Sequence, residues 1–106
     1  MKLLFAIVDR EDSGPVVRNL SQRGFSSTKL ATTGGFLLSN NVTLMIGVKE
    51  ESVQTVIDII KEHSHSRKQI IPSNDLSFDF DTGKPLEVVV GGATIFVVDV
   101  ERFEKV

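Results

Sequence analysis

A chain of 106 residues with 41% hydrophobic and 25% charged side chains has ordinary globular usage and the length of one domain, residues 1–106. Twelve Lys and Arg against fourteen Asp and Glu leave a formal charge of −2. That lacks the basic excess that DNA, RNA or an anionic membrane surface calls for. Cysteine is absent, which excludes disulfides, Cys-ligated zinc and thiol nucleophiles and suits a reducing cytoplasm.

Leu3 to Val8 is a continuous apolar run that ends at Asp9-Arg10-Glu11-Asp12. It is too short for a signal-peptide core with a cleavage site or for a membrane span, and reads as a central strand covered on both faces. A cytoplasmic protein without membrane insertion is the expectation. Asp12 or Ser13 then caps a helix, with Pro15 in its first turn, where a missing N–H costs nothing. Val16, Val17 and Leu20 share one face, Gly24 ends the helix, and Phe25 plugs the turn.

Ser27 to Thr32 reads as a second strand and Val42 to Val48 as a third, joined by a connection from Gly34 to Asn40 that carries Phe36 and Leu37. A second helix starts around Glu50 to Ser52, acidic at its positive end, and shows the clearest amphipathic stripe: Val53, Val56, Ile57, Ile60. Ser64-His65-Ser66 closes it. Gln69 to Ile71 is a short strand stopped by Pro72, and Ser73 to Lys84 is a long acidic loop. Leu86 to Val90 and Ala93 to Val98 are strands broken by Gly91-Gly92, and Val100 to Phe103 form a last turn.

This order is β-α-β-β-α-β with extra strand material at the C-terminus, an α+β, ferredoxin-like arrangement with both helices on one sheet face. Strands rich in Val and Ile on both sides leave the other face to be covered by self-association.

Enzyme chemistry finds little footing. His63 and His65 stand at i, i+2, which points them apart on a helix, so they read as solvated residues rather than a metal pair. No serine sits in a nucleophile elbow and no Walker lysine follows a glycine loop. Asp75, Asp79 and Asp81 lack the glycine and closing glutamate of a calcium loop. We expect no catalytic residue, no metal and no cofactor.

The informative segment runs from Thr28 to Leu37, Thr-Lys-Leu-Ala-Thr-Thr-Gly-Gly-Phe-Leu. Its hydroxyls and the backbone N–H groups of Gly34-Gly35 can converge on an anion, and Phe36 offers a flat face on which a base stacks. Leu37 can cover the other side, and Asn41 has the donor–acceptor pair that suits an adenine edge. A phosphate-bearing purine fits these parts; a tight Gly-Gly turn with Phe36 and Leu37 packed inward fits them too. Gly91-Gly92 reads equally as a bend between strands or as a close approach by a ligand or neighbouring subunit.

Ala6-Ile7-Val8, the Thr28 to Leu37 string, and Val90-Gly91-Gly92-Ala93-Thr94-Ile95-Phe96-Val97 together resemble the PII-like cyclic di-AMP receptor family over nearly the whole chain. The resemblance implies a ferredoxin-like protomer in a PII-like homotrimer. It implies a non-catalytic receptor that binds cyclic di-AMP between subunits and passes the signal to a downstream protein through its loops. Thr28 would then meet the phosphate–ribose side, Gly35, Phe36 and Leu37 would wall an adenine, Asn41 would read its edge and Gly47 would leave room for the base. The turn at Gly92 would lie near the cleft.

Two positions depart from the family pattern Asn-Phe-Arg-x-Thr-Lys-Leu: Gly24 stands for its Asn and Ser26 for its Arg. Serine cannot supply the charge-assisted hydrogen bonds of a guanidinium, a loss of about 1.5–3 kcal/mol. Lys29, on the opposite strand face from Thr28, does not replace it. A trimeric interaction module that has lost or changed its nucleotide is therefore the alternative. A mononucleotide binder comes third, without a basic cluster for a triphosphate.

Overall fold

The computed structural model describes residues 1–30, 41–65, 67–70, 87–90 and 92–106, of which 67–70 and 87–90 are described as backbone only. The strands are β1 (Lys2–Asp9), β2 (Thr28–Leu30), β3 (Asn41–Val48), β4 (Arg67–Ile70), β5 (Glu87–Val90) and β6 (Ala93–Asp99). The helices are α1 (Arg10–Gln22) and α2 (Val53–Glu62), the second preceded by a 3₁₀ turn over Glu50–Ser52.

Four strands form the main sheet in the order β2-β3-β1-β6, each pair antiparallel. Thus β1 and β2 run parallel with β3 between them, and β3 and β6 run parallel with β1 between them. These are two interleaved split β-α-β units, the ferredoxin-like architecture expected of this element order. The strand that closes the sheet is the last one, β6, while β4 and β5 pair only with each other in a separate antiparallel ribbon.

Alternation along the strands sends one set of side chains to the helices. Leu4, Ala6 and Val8 of β1 and Leu44, Ile46 and Val48 of β3 are buried there with Val16 and Leu20 of α1 and Val56, Ile59 and Ile60 of α2. The stripe read from the sequence is present, with Val53 and Ile57 half-buried at its margin; Ile59, which that stripe omitted, is also in the core.

Helix α1 begins earlier than its sequence suggests. Its cap is Asp9, not Asp12 or Ser13: the Asp9 carboxylate accepts the Glu11 N–H at 3.0 Å, while the Ser13 hydroxyl donates to the Arg10 carbonyl at 2.9 Å. Pro15 therefore lies inside the helix rather than in its first turn. Gly14 before it has no Cβ to clash with the proline ring, and Asn19 donates to the Pro15 carbonyl at 2.7 Å.

The other end matches expectation. Gly24 takes φ +86°, its N–H reaches the Ser21 carbonyl at 3.0 Å, and the Phe25 N–H reaches the Leu20 carbonyl at 2.9 Å. This is a Schellman end, with Phe25 packed against the core. Where a last turn was expected over Val100 to Phe103, the Val100 N–H is held by the Met1 carbonyl at 3.2 Å, and the chain bends at Glu101 and runs on exposed.

Candidate functional site

Thr28 stands on β2 directly opposite Met45 of β3, so it faces away from the helices, as do Asn41, Thr43 and Gly47. Lys29 pairs with the buried Leu44 and thus points to the helix side, as its alternation with Thr28 requires. Thr28 is exposed and Asn41 half-buried.

Of the expected site residues, these four lie within the described part: Thr28, Asn41, Gly47 and Gly92. Gly35, Phe36 and Leu37 lie outside the described residues, as does the loop from Ser73 to Lys84. The described chain leaves β2 at Leu30 and resumes in β3 at Asn41.

The four do not converge. Gly47 is level with Leu3 at one end of β1, whereas Asn41 is level with Asp9 at the other. Six residues of strand separate them, roughly 20 Å at the usual rise. Gly92 immediately precedes Ala93, the partner of Val8, and so shares the Asn41 end, but two strands away. Thr28, level with Met45, lies toward the Gly47 end.

The two glycines differ in kind. Gly92 has φ +76°, a left-handed conformation that its turn requires. Gly47 is exposed, and a Cβ built on it meets only the Met1 Cε, at an ordinary 3.6 Å. Among the described residues, neither backbone nor packing calls for glycine at 47.

Gly92 lines a cleft of about 510 Å³ with Ala93 and Ile95 of β6 and Ile57, Lys61, Ser64 and His65 at the end of α2. The sequence read both histidines as solvated; His65 is exposed and lines this cleft with Lys61. His63 is instead half-buried at the helix cap. Among the described residues, no group of three or more His, Asp or Glu side chains could hold a metal, and no helix is long and apolar enough to cross a membrane.

The sheet face that carries Thr28 is apolar. Leu3, Phe5 and Ile7 of β1, Leu30 of β2 and Met45 of β3 are half-buried on it, and in β6 Phe96 and Val98 are 49% and 42% exposed. Register places Phe96 opposite Phe5 and Val98 opposite Leu3. No described element of the protomer packs over this face. The apolar surface is therefore continuous across β3, β1 and β6, the kind of patch that marks a protein–protein contact.

Comparison with known proteins agrees with this geometry. A crystal structure of a functionally unknown protein from Pediococcus pentosaceus ATCC 25745 is similar, with 40% identity and a TM-score of 0.74 over 99% of this chain and 96% of that one. The family model described as cyclic-di-AMP receptor matches residues 1–106. The chain belongs to this PII-like cyclic-di-AMP receptor family.

Proposed function

We propose that this chain is a non-catalytic cytosolic receptor that assembles as a homotrimer through the open face of its sheet. It binds cyclic di-AMP in clefts between adjacent subunits and relays occupancy to a partner protein. The observation that carries the reading is the division of the family-type ligand residues between the two ends of one sheet. Thr28 and Gly47 lie toward one end and Asn41 and Gly92 toward the other. Residues of one protomer so divided serve one ligand best when neighbouring copies bring opposite ends together. The side-chain-free surface at Gly47, unexplained by the described residues of the protomer, supports the same view.

Mixed assemblies test this directly. Thr28→Val removes a hydroxyl at one end; Gly92→Asn adds a side chain at the other while tolerating the left-handed backbone. Each variant alone loses most of its cyclic di-AMP binding. When the two are co-expressed, some clefts combine intact halves, and binding partly returns. A mixture that binds no better than its two components contradicts a shared cleft.

A second reading, a trimer that has lost or changed its nucleotide, is favoured by Ser26, which is exposed and carries no charge where the family pattern has an arginine. Gly24 adds little to it. Its φ of +86° belongs to the helix end, and Asn is the other residue that accepts such a backbone, so this exchange follows from capping.

A further inference from the structure

We propose that the cleft between α1 and β2, on the helix side of the sheet, is a second binding site, for a small multiply charged oxyanion without a nucleobase. The cleft measures about 460 Å³, within the range of small-ligand sites. The charged side chains among its described lining are Arg18, projecting from α1, and Lys29, projecting from β2. None of its described lining residues is acidic, in a chain whose formal charge is −2. Neither cation makes an ion pair or hydrogen bond among the described residues. Two unneutralised cations facing one space disfavour each other, and an anion placed between them removes that repulsion.

The rest of the lining fits the same ligand. Ser21, Gln22 and Ser27 add neutral hydrogen-bond donors around the charges. The guanidinium fork and the ammonium are the usual partners of phosphate and carboxylate oxygens. Among the described lining residues Val17 is the one apolar side chain and none is aromatic, so they offer no platform for a base. The site is separate from Thr28, which alternation along β2 sends to the opposite face.

Polyphosphates and polycarboxylates share this chemistry, and titration of the full chain with pyrophosphate and with citrate, at constant ionic strength, distinguishes them. We expect saturable binding of at least one, weakened about tenfold or more by Arg18→Gln and by Lys29→Gln through loss of a charge-assisted contact. Both residues are exposed, and unchanged melting of the variants confirms that the fold is intact. Pyrophosphate alone assigns the site to phosphates, citrate alone to carboxylates, and both to oxyanions generally. Absence of saturable binding overturns the proposal. So does binding that survives both substitutions, or binding that Thr28→Val abolishes while Arg18→Gln leaves it unchanged.

Discussion

On the helix side of β1 and β3, Leu4, Ala6, Leu44 and Ile46 have no exposed surface; on the other side of the same strands, Leu3, Phe5, Ile7 and Met45 are only half covered. A sheet with one face in water normally alternates apolar with polar residues. Here both faces are apolar, and β6 carries the pattern outward with Phe96 and Val98. One face folds the protomer. The other is covered by no described element of the protomer, which is the physical basis for proposing an assembly.

The contrast is broken most severely on the helix side. Leu44→Ala leaves a cavity in the core and costs about 2–5 kcal/mol, measured by chemical denaturation. Substitution on the open face has another outcome. Phe96→Asp places a charge in the proposed contact, so sedimentation detects monomers while circular dichroism retains the helices and strands; a surviving trimer means that this face is not the contact. The next effect is on the ligand. Ser26→Arg restores a cation near the phosphodiesters and tightens cyclic di-AMP binding roughly ten- to hundredfold, with a steeper dependence on salt. No gain in affinity counts against Ser26 as a weak point.

The smallest effect concerns the ion pair between Lys2 and Asp99, which joins the ends of β1 and β6. The hydrogen bond to Lys2 holds the Asp99 carboxyl below its ordinary value, and the same bond raises the Lys2 ammonium above its own. Asp99 thus contributes above the ordinary carboxylate range and loses that contribution as pH falls through its depressed value. Lys2 contributes below the ordinary lysine range and loses its part as pH rises through its raised value. Both groups are solvated, so Lys2→Ala changes the melting temperature slightly at neutral pH and not at all in high salt.

Local structure was legible where one short-range rule decides it. Gly24 followed by Phe25 announced the helix end, and the spacing of Val53, Val56 and Ile60 announced the face that α2 buries. The start of α1 misled because Asp9, Asp12 and Ser13 are all competent caps. Pro15 favoured the later ones by the first-turn rule, whereas Gly14 lets it sit deeper. Which C-terminal strand closes the sheet was not legible, since pairing β6 with β1 joins residues 85 to 97 positions apart in sequence. The sequence offered candidate ligand residues only as chemical types. Their division between the two ends of the sheet was not, because it follows from register alone. The cleft of Arg18 and Lys29 escaped notice for the same reason: a helix and a strand bring together two cations that in sequence look dispersed.

The most direct test of the central claim is calorimetric titration of the purified protein with cyclic di-AMP, with ATP and cyclic di-GMP as controls. Saturable binding at micromolar affinity or tighter, about one ligand per chain, with both controls silent, is the predicted result. A trimer that gives no heat with cyclic di-AMP contradicts the receptor reading and leaves an assembly that has lost or exchanged its ligand.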